Sequence, residues 1–186
     1  MITNVKPNHV MPDLETMGTR PGCAIVSIGA VIFDPRYGVE NHKSFYRELD
    51  WKSQMELGFH IDPSTEKWWS KQSKEAKEGL NGIDDLKTVL IEFAKFIPSK
   101  DAKIWGNGPS FDVSILEHAY DKLGLEIPWK FWNVRDCRTI KDMFECQRGG
   151  WDKKVAGTAH NALDDAKHQA QYVTMMWDKL VGRKNV

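Results

Sequence analysis

Apolar and polar positions along the first third of the chain follow the pattern of β-strands. A strand is predicted over 9–15, a buried strand over the Ile- and Val-rich run 24–33, and a third strand over 43–48. Glycine and proline lie between these segments and predict turns. A charged helix is then predicted over 66–80, and apolar residues at helical spacing predict another over 83–97.

Strands and helices are mixed in the rest of the chain. The predicted elements are a strand over 102–106, a helix over 111–123, a strand over 132–134, a helix to 144 and a last helix over 161–180. Ser110 and Asn161 are the predicted N-caps, and the glycine-containing stretch 147–160 is a predicted loop. This order predicts an α/β fold with a mixed β-sheet flanked by helices. No linker divides the chain, so a single domain over 1–186 is expected.

Composition narrows the class of protein. With 41% hydrophobic and 28% charged residues, 186 residues suffice for one compact soluble domain. Lys plus Arg and Asp plus Glu both number 26, which argues against a sequence-independent DNA coat. Three cysteines without a C-x-x-C pair favour a reducing cytoplasm over a disulfide or zinc framework. The longest nearly apolar run, 24–33, is too short to span a membrane.

Two acids stand at the end of the first predicted strand. Asp13 and Glu15 point to one face of that strand and Leu14 points to the other, because side chains alternate. Burying carboxylates costs several kcal/mol unless a positive charge compensates them. The alternative, two solvated surface acids, stays open on this pair alone.

Further acids and a histidine occur at the starts of two predicted helices. Asp112 lies in the first turn after a strand and a tight turn, where it is either a helix-dipole acid or a third oxygen ligand. Asp164 falls at N3 after Asn161, which explains it as a capping acid. Asp165 points about 100° away from Asp164 around the helix. His160 precedes this helix and, taken alone, would be an ordinary loop histidine.

This set of side chains indicates chemistry with hard cations. Mg²⁺ and Mn²⁺ prefer carboxylate and water oxygens. Two such ions about 3.5–4 Å apart stabilise the attacking and leaving oxygens of a phosphodiester. A neutral histidine takes a proton from the attacking water near pH 7. The residues therefore indicate a two-metal phosphoryl-transfer site.

Three motifs resemble those of the DnaQ-like, or DEDD, 3′-5′ exonucleases in the histidine (DEDDh) form: DLETMGT, NGPSFD and HNALDDA. They occur in the order that the family has, and the motif-bearing core spans about 11–180. The segments TEKWWSKQS and WNVRDCRTI also resemble a subgroup of small phage and bacterial exonucleases.

The resemblance implies a ribonuclease H-like fold and a set of site residues. It implies that two divalent ions are held by four acids: Asp13, Glu15, Asp112 and Asp165. It implies that His160 is the general base and that nucleoside 5′-monophosphates are released from a 3′ end. One departure is Pro12, which stands where the family usually has an apolar residue with a backbone N–H. Because proline cannot donate to a ladder, either the pairing has a gap there or the strand begins at Asp13.

Other residues are candidates for contact with the substrate. Gly18 would let the backbone approach a nucleotide and Met17 could pack on a base, although plain turn geometry explains both equally. Trp68 and Trp69 face different ways on a helix, so at least one is expected in the core and the other could stack on a base. In the second motif, the substrate-binding candidates are Asn107 and Ser110.

The leading hypothesis is a metal-dependent 3′-5′ exonuclease acting on nucleic acid with a free 3′ end, single-stranded DNA or RNA. The alternative is a non-catalytic nucleic-acid-binding or protein-interaction module on the same fold, which the loss of one acid would have favoured. Discrimination between DNA and RNA depends on a pocket for the 2′-hydroxyl, which the sequence does not reveal. Homodimers are common among relatives, but no interface is evident in the sequence.

Overall fold

The computed structural model describes residues 8–148 and 160–181. Most of the predicted glycine-containing loop, 149–159, lies outside the described residues. None of the helices in the described part of the chain combines the length and apolar character needed to cross a membrane.

Five strands of the described residues form one mixed sheet. They are β1 (His9–Thr16), β2 (Ile25–Asp34), β3 (Gly38–Glu48), β4 (Lys103–Gly106) and β5 (Val134–Asp136). Their order across the sheet is β3-β2-β1-β4-β5. The pairs β1–β2 and β2–β3 are antiparallel, whereas β4 is parallel to both β1 and β5. The predicted mixed sheet is confirmed.

Helices cover both faces of the sheet. They are α1 (Pro63–Ser70), α2 (Lys74–Glu78), α3 (Leu86–Phe96), α4 (Asp112–Lys122), α5 (Cys137–Arg148) and α6 (Ala162–Val181). Helices α3 and α4 contribute to a large apolar core with one face of β1, which includes Val10 and Leu14. Helices α5 and α6 pack on the opposite face, against Met11 and Trp105. Since side chains alternate along β1, Asp13 and Glu15 share the α6 face with Met11.

Small residues bring α6 close to the sheet. Three alanines of α6 are completely buried: Ala162, Ala166 and Ala170. Opposite them, a β-carbon added at Gly29 of β2 would lie 2.2 Å from the carbonyl carbon of Ala162. The first turn of α6 therefore rests directly on the backbone of β2, and this contact places the third motif beside the first.

Three predicted element boundaries are wrong. The single helix predicted over 66–80 is two helices: the first ends at Ser70, and Ser73 caps the second, its Oγ accepting from the N–H of Ala76 at 3.2 Å. The short strand predicted over 132–134 lies at 134–136, after a turn of 3-10 helix. Ser110 is not the N-cap of α4, which begins at Asp112 after Phe111.

The proline in β1 interrupts pairing on one side only. Strand β1 continues through Pro12, and its pairing with β4 is confined to His9 and Val10. The carbonyl of Asn8 accepts from the N–H of Lys103 at 2.8 Å, so the backbone groups of even-numbered β1 residues face β4. The nitrogen of Pro12 therefore faces the β4 side beyond the end of the ladder. The sequence left two alternatives, a gap in pairing at Pro12 or a strand that begins at Asp13. The structure has the gap in pairing.

Candidate active site

Three of the four predicted acids meet on the α6 face of the sheet. Asp13 and Glu15 reach this point from β1, and Asp165 reaches it from the first turn of α6. Each contributes a carboxylate oxygen, and these oxygens all lie within 4.8 Å of one another. Asp164 is not part of this group, and its carboxylate lies 3.5 Å from the ammonium of Lys167.

The fourth predicted acid lies in the gap between β1 and β4. Asp112 is only 3% exposed, and its Oδ1 accepts from the N–H of Leu14 at 3.2 Å. Its carboxylate also accepts from the backbone N–H groups of Asn107 and of Asp112 itself. Of the N–H groups at the start of α4, the Asp112 carboxylate thus accepts its own, and it stands close enough to Asp13 to raise the pKa of that carboxyl.

Burial raises the pKa of every acid at this site, and repulsion from the other site acids adds to it at Asp13 and Glu15. Burial is the largest cause in each case. It raises the pKa of Glu15 to about 8, reinforced by Asp165 and Asp112. The pKa of Asp112 rises to about 7 against the opposing backbone hydrogen bonds. The pKa of Asp13 rises well above its ordinary value, with Asp112 and Glu15 as further causes, and that of Asp165 rises against the opposing charge of His160.

Such a cluster fits a divalent cation. Closely spaced buried carboxylates destabilise one another unless a positive charge replaces the protons that they otherwise retain. Oxygen donors alone are the ligand set that Mg²⁺ and Mn²⁺ prefer. Strongly perturbed acids in a cleft also mark functional sites in general.

His160 stands at the edge of the acid cluster. It is exposed and has a left-handed backbone, with φ 65°, immediately before α6. Asn161 then caps α6, because its Oδ1 accepts from the N–H groups of Leu163 and Asp164, each at 3.1 Å. The imidazole meets the ring of Trp68 edge-on, with 4.8 Å between the centroids. This turn presents the histidine to solvent at the mouth of the site.

An open cavity of about 590 Å³ connects these groups. Its lining includes Asp13, Glu15, Asp165 and His160, with Trp68, Gly18 and Asn107 from the predicted substrate-binding set. The volume lies within the usual range of ligand sites, about 300–1,000 Å³. Trp68 is 40% exposed and forms part of the wall, so its ring is accessible to a bound base.

Three predicted substrate contacts are not in the cavity lining. Met17 is 2% exposed and packs in the large core, so it does not present its side chain to a nucleotide. Trp69 is equally buried, and its Nε1 donates to the carbonyl of Thr16 at 2.9 Å, which makes it the expected core member of the Trp pair. Ser110 is exposed outside the cavity.

At Gly18, which does line the cavity, an added β-carbon would lie 2.6 Å from that of Cys23, so packing alone accounts for the glycine.

Sequence reasoning missed two polar residues at this site. Gln169 lines the cavity and donates from Nε2 to Asp13 Oδ1 at 2.7 Å. Its spacing of four residues after Asp165 places both on one helix face and could have identified it. Arg138 donates from Nε to Asn107 Oδ1 at 3.3 Å, and its charge lowers the pKa of Asp112. No periodicity indicates this contact, which arises from the packing of α5 beside the turn after β4.

Known proteins are similar to this chain in sequence or in fold. Residues 8–177 match the model of a family described as the 3'-5' exoribonuclease Rv2179c-like domain. An exodeoxyribonuclease of Enterobacteria phage T4 is 30% identical over 191 residues, covering 82% of this chain and 82% of the phage protein.

Two solved nucleases have similar structures. E. coli Exonuclease I in complex with a dA16 oligonucleotide has a TM-score of 0.62 at 15% identity, over 92% of this chain and 40% of that protein. The nuclease domain of 3'hExo, a DEDDh family member bound to rAMP, has a TM-score of 0.55 at 14% identity, over 94% of each chain. This chain thus spans less than half the length of Exonuclease I. The likeness confirms the predicted ribonuclease H-like fold.

Proposed function

The chain belongs to the 3'-5' exoribonuclease Rv2179c-like domain family, and we propose that it shortens single-stranded nucleic acid from the 3′ end with two divalent ions. The family match and the phage relative agree with the predicted enzyme class, a 3′-5′ exonuclease. The observation that carries the proposal is the convergence of three carboxylates within 4.8 Å in a cavity that also holds His160.

The proposed metal ligands are Asp13, Glu15, Asp112 and Asp165. Bound Mg²⁺ or Mn²⁺ would polarise the phosphodiester and lower the pKa of water at the site. Asp112 approaches from the gap between β1 and β4, whereas Asp165 approaches from the first turn of α6. The ligands thus come from separate elements, which suits a site that holds more than one ion.

His160 is the proposed general base. In its neutral form one ring nitrogen accepts a proton from the attacking water, and the protonated ring then lies beside the carboxylate of Asp165. Its exposed position lets the proton pass to solvent after each cleavage. The edge-on contact with Trp68 holds the imidazole at the wall of the cavity.

The cavity accommodates the terminal nucleotide of a single strand. Trp68 offers a face for the base, an interaction worth about 1–3 kcal/mol. Arg138 stands at the Asn107 edge, where its guanidinium suits a backbone phosphate. The family description names an exoribonuclease and the phage relative an exodeoxyribonuclease, so both sugars are candidate substrates.

The test uses 5′-labelled single-stranded DNA and RNA of one sequence, incubated with the protein and Mg²⁺ or Mn²⁺. We expect a ladder that shortens from the 3′ end and disappears with a chelator. Asp13→Asn abolishes it while the protein stays folded, whereas the matched change Asp121→Asn at an exposed position of α4 leaves it intact. A folded protein that binds both strands and cleaves neither would instead establish the non-catalytic binding module.

A further inference from the structure

Gln169, a residue of α6, donates a hydrogen bond to Asp13, which is a proposed metal ligand. It lies one helical turn after Asp165, so both side chains leave the same face of α6. Its Nε2 donates to Asp13 Oδ1 at 2.7 Å, and the side chain is 7% exposed. This bond fixes the rotation of the Asp13 carboxylate and adds no charge to the site, because an amide is neutral.

The other end of the same amide lacks a partner. Gln169 Oε1 is buried, and no described residue donates a hydrogen bond to it. Buried polar atoms in folded proteins almost always have a partner, so an unpaired acceptor next to a cavity indicates a donor that arrives with a ligand. Gln169 lines the main cavity and also a smaller cavity of about 100 Å³ beside Asn107 and Lys141.

Packing alone does not account for a glutamine here. The buried neighbours of Gln169 on the inner face of α6 are apolar: Ala166, Ala170 and Val173. A methionine or leucine would fill the same space without leaving an unpaired buried oxygen. The amide is therefore explained by what it bonds rather than by the volume that it occupies.

We infer that Gln169 is a positioning residue for the divalent-ion site, holding Asp13 through Nε2 and accepting through Oε1 from water that a bound ion carries. The inference rests on the proposed function, since it concerns the same acids. Outer residues that orient metal ligands typically change metal affinity or activity by 10–100-fold when they are replaced. Gln169 belongs to this class because it contacts a ligand and not the substrate.

The experiment measures Mn²⁺ binding to the metal-free protein by isothermal titration calorimetry. The variant is Gln169→Met, which keeps the length of the side chain and removes both polar atoms. Its matched control is Gln171→Met, the same change at an exposed position of α6. We expect Gln169→Met to weaken Mn²⁺ binding about tenfold, and the control to bind within twofold of the parent.

Activity supplies the second readout. Gln169→Met should raise the Mn²⁺ concentration needed for half-maximal cleavage by a similar factor and leave KM for the oligonucleotide unchanged at saturating Mn²⁺. Unchanged Mn²⁺ affinity in Gln169→Met would overturn the inference, whereas a parent protein that binds no Mn²⁺ would overturn the proposed function itself. If Gln169→Met does not fold, Gln169→Asn is measured in the same way, because its shorter amide cannot reach Asp13, and parent-like affinity there would equally overturn it.

Discussion

Gly29→Ala tests whether the contact between β2 and α6 sets the geometry of the candidate site. An added β-carbon would lie 2.2 Å from the carbonyl carbon of Ala162 and 2.3 Å from the nitrogen of Leu163, whereas ordinary contacts begin at 3.4 Å. Both opposing atoms belong to the backbone, so no side-chain rotation relieves the overlap. The first turn of α6 must therefore move away from β2 by roughly 1 Å.

This displacement acts on the site because that turn carries Asp165 and follows closely on His160. His160 and Asp165 would move with it, away from Asp13 on β1. A misplacement of about 1 Å costs about 10²-fold in rate when catalytic groups must be aligned. Overpacking of a close contact also lowers the free energy of unfolding by about 1–3 kcal/mol.

The assay compares kcat on a labelled single strand at saturating Mn²⁺ with stability from urea unfolding. The matched control is Gly79→Ala, since an added β-carbon there makes only ordinary contacts, the nearest 3.8 Å from Glu48 Oε1, and its φ is −61°. We expect the control to stay within about 0.5 kcal/mol of the parent and to retain its rate. A Gly29→Ala protein with parental kcat and stability would refute the argument that this contact positions the third motif.

Three further predictions concern single side chains. Since the pKa of Glu15 is raised from 4.5 to about 8, the metal-free folded protein holds a proton that the unfolded chain releases, so stability falls as pH rises across this interval. At about 1.4 kcal/mol for each pH unit, the contribution of Glu15 to this loss has an upper limit of about 5 kcal/mol. Glu15→Gln should therefore reduce the difference in stability between pH 5 and pH 8.5, measured by urea unfolding with chelator, and leave only the share of the other acids. An equal pH dependence in both proteins would contradict this cause. Trp68→Ala should raise KM for oligonucleotides about tenfold with little change in stability, whereas Trp69→Ala should cost about 3–5 kcal/mol, measured by steady-state kinetics and urea unfolding. His160→Asn should lower kcat by about 10²–10⁴-fold while calorimetric Mn²⁺ affinity stays within twofold, and a parallel loss of both would assign the histidine to the metal site instead.

The spacing of apolar residues predicted an element correctly where those apolar residues are the ones that the fold buries. In α3, four apolar residues at helical spacing are all buried: Leu86, Val89, Leu90 and Phe93. The division of the predicted helix at Ser73 was missed because one local hydrogen bond decides it and the apolar pattern there is weak. The predicted cap at Ser110 failed because α4 begins at Asp112, whose carboxylate accepts from its own backbone N–H and, across the fold, from that of Leu14.

Motif residues of the candidate site could be placed from the sequence because their positions follow from local geometry. Asp13 and Glu15 share a face by strand alternation, and Asn161 caps α6 as its position indicates. The substrate contacts were less predictable. Met17 lies within the first motif, yet its side chain is buried in the core. Gln169 and Arg138 contact Asp13 and Asn107 across distances of 156 and 31 residues, and only the packing of α5 and α6 brings them there.

Pro12, the departure from the family pattern that the sequence shows, is consistent with the geometry of the site. Even-numbered residues of β1 direct their backbone groups toward β4, so an N–H at position 12 would face the same side as the N–H of Leu14. A residue with an N–H there could extend the β1–β4 ladder beyond Val10, where it ends. With proline in place the two strands separate, and the N–H of Leu14 is left to bond Asp112 at 3.2 Å. The missing donor at position 12 thus agrees with the gap in which Asp112 bonds the N–H of Leu14 and lies close to Asp13.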